Sequence, residues 1–227
     1  MFWCEYPRDV VQVRGADAAS YLQSQVSQDL RELQQGQSAW TFVLQPTGKI
    51  DVLARVWRTG DDEFTLDTDA GFGEALSARL NRFRIRVKAE VQAPAAAWRC
   101  IAVRGDVGEA PAGALAGWGG GYDLLGPAEE VEPPAGVPAG SAADLDAARV
   151  DAVWPAMGSE IVPGETIPAE TGVTALAVSF TKGCYPGQEL VERMDSRGAK
   201  PPRLLQRVVG ADGTPVLAYV ARAALQD

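Results

Sequence analysis

The sequence contains no histidine, and that absence removes more chemistry than any other feature of it. Without imidazole there is no Ser-His-Asp or Cys-His catalysis, no HExxH-type zinc site and no imidazole proton shuttle. Any chemistry must run on carboxylate, amine, thiol or phenol groups, or on a bound cofactor. Cysteine is scarce as well. Cys4, Cys100 and Cys184 are widely spaced, odd in number and form no CxxC or metal-ligand pattern, which reads as three isolated thiols in a reducing compartment, with no metal site. Basic residues are outnumbered, 21 against 30, for a formal net charge of -9, whereas a general nucleic-acid binder needs a basic face to displace counterions. No run approaches the ~18 consecutive apolar residues of a membrane span. The opening Met1 to Arg8 lacks the basic and apolar regions of a secretory signal. The expectation is a soluble, acidic, cytoplasmic protein with no nucleic-acid or membrane partner.

What is present suits a globular chain of 227 residues, 46% of them hydrophobic. At about 150 residues per domain this is about one and a half domains, enough for a substantial core. Val10 to Val13 reads as a short strand, and Arg14-Gly15-Ala16-Asp17 turns it into a helix. On that helix Ala18, Tyr21, Leu22, Val26 and Leu30 recur at helical spacing, with Gln and Ser on the other face. Ala39 to Leu44 and Ile50 to Trp57 read as strands joined by the turn Gln45-Pro46-Thr47-Gly48-Lys49. A third strand, Glu63 to Asp67, precedes a helix over Phe72 to Phe83, and Ile85 to Val91 alternates as a further strand. Hairpins between neighbouring strands point to an α+β antiparallel sheet rather than a doubly wound parallel one.

Trp98 to Arg104 is another strand. From Gly105 to Gly140 the chain turns Gly-, Pro- and Ala-rich, and Trp118, Tyr122 and two leucines favour short strands with long loops there. Gly119-Gly120-Gly121 lacks the spacing and the strand-turn-helix context of a phosphate loop. A helix is expected over Ala142 to Val153, ended by Trp154-Pro155, and the chain is loop-rich from there to Leu176. Arg203 to Gly210 and Pro215 to Val220 read as two last strands, which cannot close a barrel.

The segment from 179 to 198, SFTKGCYPGQELVERMDSRG, carries the strongest signal. It reads as a strand end (Ala175 to Phe180), a tight loop, and a helix with Pro186 in its first turn. Cys184 then lies just ahead of a helix N-terminus and two residues from Lys182, and both charges favour thiolate over thiol. Gly183 and Gly187 let the backbone turn sharply or approach a ligand closely.

Lys182 to Glu189 resembles the KGCYxGQE signature of the YgfZ family, folate-binding proteins related to glycine-cleavage aminomethyltransferase. Residues 13–23, Gly48-Lys49-Ile50, Arg149 to Pro155 and Ile167 to Glu170 resemble further family segments in the same order. The resemblance covers roughly residues 10–210. It implies an aminomethyltransferase-like cloverleaf with a ferredoxin-like antiparallel sheet subdomain, around a central cavity for tetrahydrofolate or a one-carbon derivative. It also implies a role in assembly or repair of iron–sulfur enzymes, with those clients or assembly factors as partners. Carried over by position, Cys184 and Lys182 would be the reactive pair, and Gly183, Tyr185, Gly187, Gln188 and Glu189 would line the site. Asp151 and Glu170 are candidates for the paired N–H donors of a pterin edge, and Trp40, Trp57 and Trp154 for stacking on it. Residues 1–95 are then a folate-binding-like α+β region and 96–200 a second one ending in the cysteine loop and helix. Residues 201–227 are a remnant of a C-terminal barrel that is largely missing, so that a partner copy could cover an open cavity edge.

Two departures from the family pattern stand out: Pro186 replaces a common threonine, and few residues follow the cysteine. Three functional readings follow. The first is the folate-dependent accessory protein. The second is an aminomethyltransferase, with Asp67 or Asp69 as its carboxylate. The third is a folate-free scaffold that uses the cysteine loop for partner contact.

Overall fold

Alternation along the strands explains the architecture of the computed structural model, which describes residues 1–196 and 200–225. Residues 197–199, which include the end of the motif segment, and the last two residues of the expected barrel remnant (226–227) lie outside it. The elements run β1 (Phe2–Glu5), β2 (Arg8–Arg14), α1 (Ala18–Gln25), β3 (Ser38–Leu44), β4 (Ile50–Arg58), β5 (Glu63–Asp69), α2 (Gly73–Arg82), β6 (Glu90–Gln92), β7 (Trp98–Arg104), β8 (Leu115–Ala116) and β9 (Tyr122–Pro127). They continue with α3 (Ala142–Asp151), α4 (Thr174–Ala177), α5 (Gln188–Ser196), β10 (Arg203–Val209) and β11 (Pro215–Ala221).

An antiparallel sheet in the order β3-β4-β5-β2-β6 carries α1 and α2 on one face. Val11, Val13, Val43, Val52, Val56 and Leu66 point to those helices and meet Tyr21, Leu22, Leu76 and Leu80. The alternate residues face the other way, as the pleat requires. Phe42, Leu44 and Leu53 pack there against Trp154, Met157, Ile161, Tyr185 and Val191. A second sheet, β1-β7-β9-β8, stacks on the same side through Val10, Cys100, Leu115 and Leu125. Strands β10 and β11 pair only with each other. The result is the expected mixed α+β fold with antiparallel sheets, and among the described residues no barrel closes. No helix among them is long and apolar enough to cross a membrane.

The layer between the two sheets is not purely apolar. Arg55 on β4 donates to Asp67 on β5 (3.0 Å) and to Asp123 on β9 (2.7 Å), with all three side chains fully buried. Arg8 on β2 extends the chain of charges to Asp67 (2.7 Å) and to Asp69, and Arg104 on β7 reaches Asp123 (2.8 Å). Burial alone would raise the Asp67 carboxyl, but the Arg55 and Arg8 guanidiniums outweigh it and hold the group below its ordinary range.

Four local expectations are corrected. Helix α1 ends at Gln25, not beyond Leu30, because Val26 turns extended and bridges Val43 while Ser27 ties to Phe42. The strand expected over Ile85 to Val91 shrinks to β6, since Arg86 takes a left-handed φ of 56° and Ile85 is exposed. Ala175 to Phe180 is not a strand: α4 occupies its first half, and a short apolar run cannot by itself distinguish the two. Pro186 lies in the turn ahead of α5 rather than inside its first turn.

Asp67→Asn leaves Arg8 and Arg55 short of a counter-charge in the interior. Urea unfolding at pH 7 should show a loss of about 3–5 kcal/mol. A carboxyl depressed in the folded state contributes stability above its unfolded pKa and loses it as pH falls through the folded value. The gap between parent and variant should therefore close on acidification below about pH 4.

Candidate functional site

The cysteine loop forms one of the concave sites around the first sheet. Of the three thiols only Cys184 is exposed. Burial pushes the Cys4 and Cys100 thiols up, away from reactivity. Cys184 and Gly183 share a shallow groove of about 230 Å³ with Ser20, Gln23 and Ser24 of α1 and with Arg31.

The loop is held from both ends. The Lys182 ammonium donates to the carbonyls of Gln23 (2.6 Å), Val26 (2.6 Å) and Gln28 (3.0 Å), at the C-terminal end of α1 where carbonyls lack helical partners. Burial pulls this ammonium down to about 8, with Asp29 opposing. Tyr185 is buried in the core below, its ring centroid 5.2 Å from that ammonium. Gly187 has φ +82° and Gly48, in the β3–β4 turn, has φ +84°. A Cβ on Gly187 would strike the Gln45 carbonyl and one on Gly48 would strike Leu190, so two glycines let the loop seat on the hairpin.

The Lys182 ammonium is thus directed at three backbone carbonyls. The polar group beside the sulfur is the Gln188 amide, whose Nε2 lies 3.5 Å from Cys184 Sγ while its Oε1 accepts from the Tyr185 N–H (2.9 Å). Glu189 is exposed in the first turn of α5.

The second site is a cavity of about 420 Å³ walled by Trp40, Trp118 and Trp154. Trp40 and Trp154 lie 4.6 Å apart, tilted by 59°. Arg104 stacks on Trp118 at 4.0 Å, and Gly117 lies beneath it because a Cβ there would come within 2.9 Å of the guanidinium. Gly119 and Gly120, at φ +66° and +78°, carry the chain around the rim. The sequence singled out Trp40 and Trp154 but not Trp118, whose one signal was an indole followed by three glycines. Trp57 is elsewhere, edge-on to Trp98 at 6.4 Å.

The expected carboxylates are all paired. Asp151 is exposed at the end of α3, next in sequence to the cavity-lining Ala152, and meets Arg207 at 2.9 Å. Glu170, 5% exposed, meets Arg203 at 3.1 Å. Both arginines belong to β10. Asp67 and Asp69 are neutralised by Arg8 and Arg55, and Asp69 also accepts from Tyr6 (3.2 Å) and from the Met157 N–H (2.9 Å).

No family model matches the chain. An uncharacterized protein of Haemophilus influenzae is 29% identical over 197 residues, covering 84% of this chain and 67% of that protein. An iron-sulfur cluster assembly factor IBA57 homolog, mitochondrial, of Pyricularia oryzae is 26% identical over 229 aligned positions, covering 89% of this chain. The chain spans only 56% of that relative's length. In three dimensions it superposes on the glycine cleavage system aminomethyltransferase T of Bartonella henselae with a TM-score of 0.74 at 18% identity, over 97% of this chain and 78% of that one. The likeness establishes a shared fold.

Lys182→Met strips three carbonyls of their common donor and should cost about 2–3 kcal/mol in urea unfolding. Alkylation of Cys184 by iodoacetamide should stay within about threefold of the parent rate. A tenfold slower reaction at unchanged stability would make Lys182 a direct activator instead.

Proposed function

We propose that the chain, which has the aminomethyltransferase T fold and a cysteine motif resembling that of the YgfZ family, is a tetrahydrofolate-binding accessory protein of iron–sulfur cluster assembly or repair. Cys184 is its working thiol, and its place of action is the cytoplasm. The carrying observation is the cysteine loop: one exposed thiol held rigidly by the Lys182 clamp, the Gln188 amide and the Gly48–Gly187 contact. A loop fixed at that many points presents its sulfur in one geometry, which suits a thiol that must meet a partner's cluster or cysteine. Gly183, Gln188 and Glu189 are the members of the motif that a ligand can touch. Tyr185 and Gly187 are buried and serve as supports.

The indole-walled cavity fits a flat heterocycle in size and in lining. Trp40 and Trp154 would hold a pterin by stacking, and Asp151 and Glu170 would meet its N–H edge on release from Arg207 and Arg203. Bound reduced folate supplies one-carbon chemistry; the chain's own residues orient it and exclude water. One observation favours the folate-free scaffold as the second reading, namely that both of those carboxylates already have partners. The aminomethyltransferase reading lacks comparable support, because Asp67 and Asp69 are both already answered by arginines.

Calorimetric titration with tetrahydrofolate should give saturable binding, weakened about tenfold or more by Trp154→Ala. No heat at millimolar ligand would leave the scaffold reading. In a host lacking this activity, Cys184→Ala should fail to restore iron–sulfur enzyme function, and full rescue would end the thiol role.

A further inference from the structure

On a chain of net charge -9, the loop after α2 is a local reversal of sign. Arg82, Arg84, Arg86 and Lys88 are all exposed, occupy alternate positions, and make no ion pair among the described residues. Ile85, between two of the arginines, is 74% exposed. Ile85 thus presents an apolar side chain directly between exposed guanidiniums.

The loop is pinned to the start of α1. The Lys88 N–H donates to the Asp17 carboxylate (2.8 Å), and the Asp17 N–H donates back to the Lys88 carbonyl (3.1 Å). Gly15, at φ +128°, passes so close to that carbonyl that a Cβ there would clash. Arg14, Ala16, Arg84 and Lys88 consequently share a concavity of about 420 Å³, in which Glu90 is the one acidic wall. Arg14 has Glu63 at 3.7 Å, both largely exposed, so that pair offsets little of the positive charge.

This basic concavity and the thiol groove lie along α1. Ala16, in the turn just ahead of the helix, lines the first, and Ser20, Gln23 and Ser24 of α1 line the second, so the two concavities follow one another along α1 from its N-terminal end. Helix α1 has eight residues and so is about 12 Å long. Its outward face is small and uncharged, offering no barrier between the two. Arg31, beyond the thiol, is neutralised by Asp29 and leaves the basic loop as the charged end of the track.

We infer that the basic loop 82–88 and the outward face of α1 are a docking surface for an acidic segment of a partner polypeptide, with Ile85 meeting an apolar residue in it, which delivers the partner's cysteine or cluster to Cys184. This rests on Cys184 being the working thiol and adds how the partner is chosen. Charge complementarity decides the kind of occupant. Isolated cations around an exposed isoleucine suit carboxylates flanking an apolar side chain, whereas a nucleic-acid backbone has no apolar side chain to set against Ile85.

The probe is a synthetic Glu/Asp-rich peptide with one leucine and a terminal cysteine held as its mixed disulfide with thionitrobenzoate. Attack by the Cys184 thiolate joins peptide to protein and releases one coloured thionitrobenzoate. The acidic peptide should react at least about tenfold faster than a Lys-rich counterpart at low ionic strength, and about 0.5 M salt should erase the difference. Charge reversal at Arg82→Glu, Arg86→Glu and Lys88→Glu, which spares the hydrogen bonds of Arg84, should also erase it. Ile85→Ser alone should reduce it and serves as the variant least able to disturb folding. A small neutral disulfide should react equally with all of these and not with Cys184→Ser, so a failure of the surface is separable from a failure of the thiol. Equal rates for acidic and basic peptides would overturn the proposal. So would displacement of the acidic peptide by a single-stranded RNA that binds more tightly, which would assign the surface to nucleic acid.

Discussion

The buried chain of charges from Arg8 through Asp67, Arg55 and Asp123 to Arg104 is the interaction on which the rest depends. It crosses from the helix-bearing sheet to the second sheet, joining β2, β4, β5, β7 and β9 in a space that an apolar layer would otherwise fill. Such a chain stabilises little against a well-packed apolar alternative, but removing one member exposes the others to a large penalty. Its effect is geometric. Guanidiniums and carboxylates have fixed directions, so the two sheets meet at one angle and one register. The aromatic rings depend on that placement: Arg55 lies 5.0 Å from the Trp40 ring centroid and Arg104 4.0 Å from that of Trp118.

Two sites follow from this frame. On the far side of the charged layer the indoles wall a cavity, and Ala177 and Leu176 of α4 carry its edge toward α1 through bonds to Ser27 and Gln28. Those same residues lead to the carbonyls that clamp Lys182. The cavity and the exposed thiol thus share a continuous run of hydrogen-bonded backbone, although they open on different surfaces. On the proposed function, a ligand in the cavity and a partner at the thiol would be held at once.

The sequence was most legible where backbone chemistry is local. The Pro46–Gly48 turn, the glycines of the cysteine loop and the helix over Gly73–Arg82 carry their own signals. It was misleading where tertiary pairing overrode a pattern. Val26 and Leu30 continue the helical spacing of α1, yet β3 claims Val26. Residues 85–91 alternate like a strand, yet Arg86 turns left-handed. The charged layer was not legible at all, because Arg55, Asp67 and Asp123 occupy strand positions where a charge ordinarily signals the solvent face. Only their partners on other strands make them interior residues. The carbonyl clamp on Lys182 was not legible, since its partners lie more than a hundred residues earlier in the chain.

The central claim is that reduced folate is held against the indoles of the cavity while Cys184 remains free. A crystal structure of the protein soaked with tetrahydrofolate tests it most directly. The account predicts a pterin ring in the cavity against Trp40 and Trp154, with Cys184 still exposed and unligated. An empty cavity at saturating ligand, or a folate bound in the groove against Cys184, would contradict it.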